Sequence, residues 1–139
     1  MAKSADYIFD DQIGYVLRRV MQRHLAIFSE LIPTIATTQF AVLARLQELG
    51  SQSQNLLGRT AAMEAATTKG VVDRLVCQGP IETAPDPDDR RRLTVGLTPA
   101  GALLFHTTLS AALTVSDQTL SPLFPTEQTL FMALLARLT

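Results

Sequence analysis

Apolar residues recur at intervals of three and four along most of the chain, which is the pattern of amphipathic helices. This pattern predicts six helices, at about residues 8–32, 37–49, 54–61, 65–78, 99–118 and 125–138. The apolar stripe of the first helix is broad, and Pro33 follows its end. The chain is therefore expected to be mainly α-helical.

Helix-capping residues mark several of these boundaries. Thr37 or Thr38 is the expected N-cap of the second helix, Ser53 that of the third and Thr98 that of the fifth. Gly79 and the proline after it stop the fourth helix. The third and fourth helices are short and separated by a tight turn, which is typical of a helix-turn-helix.

The segment between the fourth and fifth helices has a different pattern. Ile81–Ala84 and Leu93–Leu97 are short β-type runs, and residues 85–92 between them are rich in turn formers and charge. This indicates a β-hairpin with a charged tip, which is called a wing when it follows a helix-turn-helix. The predicted fold is a winged helix-turn-helix of six helices with a small β-hairpin wing.

Composition narrows the class of protein without identifying a partner. The 139 residues suffice for one domain, and a hydrophobic fraction of 47% excludes a disordered chain. The net charge of −1 gives no overall sign of nucleic-acid binding, although only the local field at a contact face matters. A single cysteine, Cys77, excludes an internal disulfide framework. No apolar run reaches the length of a membrane span, so we expect a cytoplasmic protein with no membrane partner.

The mean hydropathy of +0.18 is high for a small soluble domain, which suggests that part of the apolar surface faces a partner chain. We expect residues 1–35 and 98–139 to form dimerisation helices from both ends of the chain, and residues 36–97 to form a DNA-binding lobe. Each apolar residue concerned has core packing as its alternative role. The expected dimer residues are Val16, Val20, Leu104, Leu109, Leu130, Phe131, Leu134 and Leu138.

The order of elements and four local motifs resemble the MarR family of winged-helix regulators over about residues 10–138. The resemblance implies a homodimeric transcriptional regulator, a repressor, that reads a pseudo-palindromic double-stranded DNA operator and is released by a small aromatic acid. The motifs are Thr38-Gln39-Phe40-Ala41-Val42-Leu43; Ser53-Gln54 with Leu57-Gly58; Met63 to Thr67 with Val71-Val72-Asp73-Arg74-Leu75; and Asp86-Pro87-Asp88-Asp89-Arg90-Arg91 followed by Leu97-Thr98-Pro99-Ala100-Gly101.

The candidate DNA-binding residues come from the third helix, the start of the fourth helix and the wing. A recognition helix reads bases near its N-terminus, and arginines suit the narrow minor groove. The resemblance implies that Arg91 enters the minor groove with Asp89 as its orienting partner. Thr67 and Thr68 have as their alternative an ordinary position in the first turn of the helix. For Arg59 and Arg74 two roles stay open, a phosphate contact or a solvated surface charge. The set is Ser53, Gln54, Thr67, Thr68, Lys69, Gly70, Arg74, Asp89, Arg90 and Arg91.

Four positions depart from the family pattern. Ala36 stands where a threonine usually caps the second helix, so Thr37 is expected to take over that role. Glu64 stands where aspartate caps the recognition helix, and glutamate is a poorer cap. Pro80 replaces a hydrophobic residue, commonly leucine, and is expected to alter the edge of the wing. Thr83 occupies a position where arginine or lysine is common.

A basic segment of the first helix is the candidate effector site. Arginine pairs with carboxylates through two parallel hydrogen bonds, and phenylalanines supply apolar walls. The alternative is that these arginines are interface or surface charges. The segments Arg18–Phe28 and Ser53–Arg59 resemble the branch that responds to hydroxylated aromatic carboxylates such as a hydroxynicotinate, or to a salicylate-like compound. The candidate ligand residues are Arg18, Arg19, His24, Phe28 and Phe40.

Other functions were weighed against this interpretation. A redox-responsive regulator would be expected to place a cysteine near Tyr7–Tyr15, which has none, and Cys77 reads as a packing residue. For a metal-responsive regulator, this sequence lacks metal-ligand spacing among His24, His106 and Cys77, so neither a metal nor a cofactor is expected. The sequence contains no phosphate loop, nucleophile elbow or paired-histidine motif, so an enzyme is not indicated. A DNA-independent protein-interaction dimer stays open, although such a dimer has no need of the arginine-rich wing.

Overall fold

The computed structural model describes residues 6–139 and confirms the six predicted helices and the wing. The elements, in chain order, are α1 (Ile13–Leu31), α2 (Thr37–Leu49), β1 (Gln52–Ser53), α3 (Gln54–Thr60), α4 (Ala65–Gln78), β2 (Ile81–Pro85), β3 (Leu93–Leu97), α5 (Pro99–Leu120) and α6 (Pro125–Ala136).

The first helix begins later than predicted. Phe9–Asp11 forms a separate 3₁₀ turn, and Gln12 after it has an extended backbone with φ −81° and ψ 136°. The Gln12 Nε2 group donates a hydrogen bond of 2.9 Å to the carbonyl oxygen of Ile8. The apolar periodicity continues across this break, which is why the pattern alone placed the start of the helix at residue 8.

The sheet has three antiparallel strands in the order β1-β3-β2. β2 and β3 pair along their whole length, from Ile81 opposite Leu97 to Pro85 opposite Leu93. The two-residue strand β1 pairs Gln52 with Val95 and was not predicted, because two residues are too few to show alternation. β1 ties the chain just before α3 to the returning strand of the wing.

The helix caps partly differ from expectation. Ser53 caps α3, since its Oγ accepts the backbone N–H of Leu56 at 3.2 Å. The N-cap of α2 is Ala36, and the Oε1 of Gln39 accepts the Ala36 backbone N–H at 2.9 Å. The expectation that Thr37 would cap this helix was wrong, because Thr37 is already its first residue. Glu64 is the N-cap of α4 but makes no side-chain capping bond.

The helix-turn-helix turn is held from two sides. Ala62 adopts a left-handed backbone with φ 55°, and the Met63 N–H donates to the Gly58 carbonyl at 2.8 Å. The Arg45 Nε donates to the Thr60 carbonyl at the end of α3 at 2.6 Å. These bonds fix where α4 begins after α3.

The chain divides into two compact units, one from Ile32 to Ala112 and one formed by the residues up to Leu31 together with Leu113–Thr139. The first unit contains α2, α3, α4, the sheet and the beginning of α5, around a core contributed by three helices and two strands. Leu104, an expected dimer residue, packs against this core, which is the alternative role that the sequence left open. The core residues are Val42, Leu43, Leu46, Leu57, Val71, Val72, Leu75, Ile81 and Val95.

The unit that contains α1 and α6 carries an apolar groove of about 400 Å³. Several of its lining side chains are large and exposed, among them Ile13 at 64% and Leu138 at 70%. Within residues 6–139, no helix combines the length and apolar character needed to cross a membrane. The groove is lined by Ile13, Val16, Leu17, Val20, Phe131, Leu134, Leu135, Arg137 and Leu138.

The beginning of α5 is fastened to the end of α4. The Thr98 hydroxyl donates to the Gly79 carbonyl at 2.7 Å and accepts the Gly101 N–H at 3.1 Å, while the Thr98 N–H donates to the Pro80 carbonyl at 3.1 Å. Pro80 lies just before β2, so its missing N–H removes no bond from the ladder. The expectation that Pro80 alters the wing's edge was wrong.

We expect Gly101→Ala to destabilise the protein. A Cβ at this position would overlap the Pro80 carbonyl oxygen and lie 2.8 Å from its carbonyl carbon, so backbone would have to move. Overpacking of this kind costs about 3 kcal/mol, at the upper end of the usual range. Thermal and denaturant unfolding measure the loss.

Gly14→Ala is the matched control, because it also adds a methyl group to a helical glycine. A Cβ on Gly14 meets nothing within 4 Å, so the higher helix propensity of alanine should raise stability by up to about 1 kcal/mol. Equal effects of the two substitutions would contradict the packing of α5 described above.

Candidate nucleic-acid interface

The first three turns of α4 present an exposed polar face. Thr67, Lys69, Gly70 and Arg74 are all exposed, as the sequence predicted for residues that reach DNA. The Lys69 Nζ lies 2.9 Å from the Asp73 Oδ2, in a pair exposed enough to contribute little to stability. This face offers hydroxyl, ammonium and guanidinium groups with one accessible backbone position.

Thr68 does not belong to that face, and its assignment as a DNA-contacting residue was wrong. Its side chain is 1% exposed, and its Oγ1 donates to the Glu64 carbonyl at 2.9 Å. It packs so closely on α3 that a Cβ on Gly58 would lie 2.9 Å from the Thr68 Oγ1. The spacing of three and four to Val71 and Val72 was the available signal for this buried position.

The residues at the beginning of α3 are only partly accessible. Ser53 and Gln54 are half-buried, and the Ser53 hydroxyl is already used to cap the helix. Gln52, one residue earlier, is buried and receives the Thr60 hydroxyl on its Oε1 at 3.0 Å. The two predicted residues therefore lie at the edge of the exposed surface.

The tip of the wing is shaped by aspartates. The Asp86 N–H donates to the Arg92 carbonyl at 2.9 Å and closes the hairpin. The Asp86 Oδ1 accepts the N–H of Asp88 at 2.9 Å, and the Asp89 Oδ1 accepts the N–H of Arg91 at 3.0 Å. Arg90 and Arg91 are both exposed, as predicted.

The predicted role of Asp89 requires a correction. Its Oδ2 lies 3.7 Å from the Nε of Arg92, not against the guanidinium of Arg91. Asp89 therefore holds the backbone of Arg91 and the side chain of Arg92. Sequence spacing could not distinguish the two arginines, because the side-chain directions in an irregular turn follow no fixed period.

One groove brings together residues far apart in sequence. It has a volume of about 630 Å³ and lies between the beginning of α3 and the wing. Asn55 and Arg92 were absent from the predicted site, and Arg59 had been left open. The groove is lined by Ser53, Gln54, Asn55, Arg59, Arg91, Arg92 and Leu93.

The candidate effector residues fall into both units. Arg18, Arg19, His24 and Phe28 lie in the unit containing α1, and Phe40 lies in the other, where its ring stacks on Phe105 at 5.7 Å. Arg18 is exposed, and the Arg19 guanidinium carbon lies 5.9 Å from the centroid of the Tyr15 ring. Phe28 is buried at 6% exposure.

Two residues of this basic segment bind the end of α5. Arg23 donates to the carbonyls of Thr119 and Gln118 at 2.7 and 2.8 Å. The Thr119 hydroxyl donates to the carbonyl oxygen of Val115 at 2.8 Å. Because its proton is used there, the same hydroxyl accepts a hydrogen bond of 2.9 Å from His24, and this assigns the donating N–H to the Nδ1 of the ring. Arg23 therefore satisfies free carbonyls at a helix C-terminus.

The described residues contain no group of three histidine, cysteine or acidic side chains that could hold a metal ion. Cys77 is exposed on α4, so its interpretation as a packing residue was wrong. A residue two positions after the buried Leu75 lies away from the apolar face, which explains this exposure.

An exposed helix following a tight turn, next to a three-stranded sheet with an arginine-bearing tip, defines the class of winged helix-turn-helix proteins. The model of the MarR family matches residues 35–93. The transcriptional repressor NicR of Pseudomonas putida is 34% identical over 134 residues, which cover 95% of this chain and 85% of NicR. The chain therefore belongs to the MarR family, and hence to the regulators of transcription rather than to the enzymes.

Two solved structures share the fold along almost the whole chain. A probable transcriptional regulator from Pseudomonas aeruginosa is 47% identical with a TM-score of 0.90, covering 95% of this chain and 100% of that one. BpsR of Bordetella bronchiseptica, whose structure concerns regulation of DNA binding by 6-hydroxynicotinic acid, is 34% identical with a TM-score of 0.93. The match covers 96% of this chain and 97% of BpsR. The family resemblance inferred from the motifs is confirmed.

We expect Gly70→Ala to raise stability and to weaken binding to duplex DNA. A Cβ on Gly70 meets nothing within 4 Å, so alanine should stabilise the exposed helix by about 1 kcal/mol. If the backbone at this position approaches DNA closely, the added methyl group would obstruct that approach. Thermal unfolding and fluorescence anisotropy on duplex DNA measure the two effects.

Glu64→Asp controls for stabilisation of the same helix. The shorter carboxylate can reach the free N–H groups of the first turn that Glu64 leaves unbound, at unchanged charge. This variant should gain stability without losing affinity for DNA. Unaltered DNA binding by Gly70→Ala would remove Gly70 from the interface.

Proposed function

We propose that this protein is a homodimeric transcriptional repressor that binds a pseudo-palindromic operator and releases it on binding a hydroxylated aromatic acid. The observation that carries the proposal is the exposed polar face of α4 in the same compact unit as an arginine-bearing wing. We further propose that it acts in the cytoplasm, where its DNA target would lie.

The proposed DNA contacts divide between two grooves. An α-helix fits the major groove, where Thr67, Lys69 and Arg74 would meet base edges or phosphates. The wing would place Arg91 in the adjacent minor groove, whose negative potential attracts guanidinium groups. The backbone bond from Arg91 to Asp89 supports this role, because it limits the freedom of the wing tip before DNA binds.

A second copy of the chain is the proposed occupant of the groove between α1 and α6. Its exposed apolar side chains would otherwise remain in water, and burial contributes about 25 cal/mol per Å². A two-fold dimer presents two recognition helices about one helical turn of DNA apart, which matches a pseudo-palindrome. We propose that the dimer contact lies mainly in the unit with α1 and α6.

The proposed effector class follows from the relatives and from a basic helix. BpsR is regulated by 6-hydroxynicotinic acid and NicR is a repressor; both are 34% identical to this chain. A carboxylate requires a cation, and Arg23 is already used at the end of α5. Arg18 and Arg19 are therefore the proposed carboxylate partners, with His24 as a further polar contact.

Arg91→Ala should weaken operator binding and leave dimerisation intact. Loss of a minor-groove contact worth about 1–3 kcal/mol would reduce affinity about 5- to 150-fold. The measurement is anisotropy on a duplex selected from a random-sequence pool, together with light scattering for the oligomeric state. Arg91→Lys keeps the charge but loses the planar fork, so it should recover only part of the affinity.

Wild-type affinity of Arg91→Ala at every salt concentration would exclude Arg91 from the DNA contact. A wild-type protein that enriches no duplex from the pool would contradict the proposed function as a whole. A stable dimer with that behaviour would instead favour the protein-interaction alternative.

6-Hydroxynicotinate should lower the affinity of the protein for its selected duplex by about 5- to 150-fold, the usual range of allosteric coupling. The matched control ligand, 6-hydroxynicotinamide, lacks the carboxylate and should have no effect. Arg18→Ala and Arg19→Ala should reduce the response while preserving DNA affinity without ligand. Unchanged DNA affinity at saturating acid would exclude this effector class.

A further inference from the structure

We propose that the groove between α3 and the wing seats the sugar-phosphate backbone of duplex DNA, with Arg59 and Arg92 as its phosphate-contacting residues. This inference rests on the proposed function and names the part of the duplex that these residues contact. Arg92 was not among the candidate DNA-binding residues, and the sequence left Arg59 open between a phosphate contact and a solvated charge.

The composition of the groove is that of an anion site. Three of its seven lining residues are arginines, and Ser53, Gln54 and Asn55 add polar groups. No carboxylate is among the lining residues, although the sequence has 13 acidic residues. Asp89, the acidic residue nearest in sequence to Arg91, accepts the Arg91 backbone N–H and lies 3.7 Å from the Nε of Arg92.

Arg92 has one carboxylate nearby and keeps most of its guanidinium exposed. Its Nε lies 3.7 Å from the Asp89 Oδ2, and this contact leaves the Nη1 and Nη2 groups for another acceptor. The side chain is 73% exposed. An exposed ion pair at this distance contributes little, so a phosphate can compete for the guanidinium and bind it through two parallel hydrogen bonds.

The position of the groove fits the shape of B-form DNA. When one element occupies the major groove and another enters the next minor groove, the strand that separates the two grooves must pass between them. The groove is lined by residues of α3, which precedes the recognition helix, and by residues of the wing. A phosphate of the separating strand is therefore the proposed occupant.

Phosphate contacts can be counted from the dependence of affinity on salt. When the logarithm of the binding constant is plotted against the logarithm of the salt concentration, each neutralised phosphate adds about 0.9 to the magnitude of the slope. Because the contact is independent of sequence, the probe is a duplex of arbitrary sequence of about 30 base pairs, roughly three helical turns. Affinities are measured by anisotropy between 0.05 and about 0.2 M salt, the range in which such slopes are usually determined.

Arg59→Gln and Arg92→Gln should each reduce the slope by about one and weaken binding about fivefold at 0.15 M salt. The double variant should reduce the slope by about two. Arg59→Lys and Arg92→Lys retain the charge and should keep slopes close to that of the wild type. Unfolding curves check that each variant is folded, and the two positions lie on separate elements, so damage to one leaves the other as a test.

Unchanged slopes in both glutamine variants would overturn the groove proposal. If Arg91→Ala still weakens binding in the same assay, the proposed function stands and only the groove assignment fails. A wild-type protein without salt-dependent binding to duplex DNA would overturn both.

A small free anion is the alternative occupant of the groove, because it would bind the same arginines as a DNA phosphate. Inorganic phosphate and 6-hydroxynicotinate are therefore titrated against wild type and Arg59→Gln in the absence of DNA. Saturable binding of either anion, lost in Arg59→Gln while the slope on DNA is unchanged, would assign the groove to a small anion and contradict the proposal. Anion binding that does not depend on Arg59, together with a reduced slope on DNA, would support the DNA backbone.

Discussion

The close contact between the first turn of α5 and the end of α4 constrains much of this structure. The Thr98 hydroxyl donates to the carbonyl oxygen of Gly79 and accepts the backbone N–H of Gly101, which caps α5. Because Gly101 has no side chain, the helix approaches the Pro80 carbonyl closely. The junction joins the end of the recognition helix to the end of β3, and through β3 to the wing. The two DNA-reading elements are therefore positioned by the same contact, and α5 continues from it into the unit that contains α6.

The sequence predicts the helices that show apolar periodicity and the turns that contain strong capping or turn-forming residues. The predicted bounds of α2 and α4 agree with the structure because apolar periodicity and a glycine after each helix mark them. β1 escaped prediction because a two-residue strand exists only through its partner β3. Thr68 was misassigned because its nearness to the helix N-terminus was weighed above its spacing to Val71. Its buried position depends on Gly58, a residue of another helix.

The site shows how a chain with a net charge of −1 can still present a basic surface. Asp86 and Asp89 accept backbone N–H groups within the wing tip, so these acidic residues shape the turn that displays Arg90 and Arg91. Arg59, Arg91 and Arg92 line one groove, and the Asp89 carboxylate that pairs with Arg92 is not among the lining residues. Neither net charge nor spacing along the chain reveals this separation, because it arises from the side chains' directions in an irregular turn and from the pairing of β1 with β3.

The basic segment of α1 likewise divides into groups with different roles once their partners are known. Arg23 and His24 hold the C-terminal end of α5, whereas Arg18 is exposed and Arg19 lies over Tyr15. Hydrogen bonds to a charged group contribute about 1.5–3 kcal/mol. One such carboxylate contact in each protomer of a dimer would supply roughly 3–6 kcal/mol, which covers the 1–3 kcal/mol of a typical allosteric coupling. A single arginine per protomer is therefore energetically sufficient for effector control, provided that the contact forms in only one of the two states.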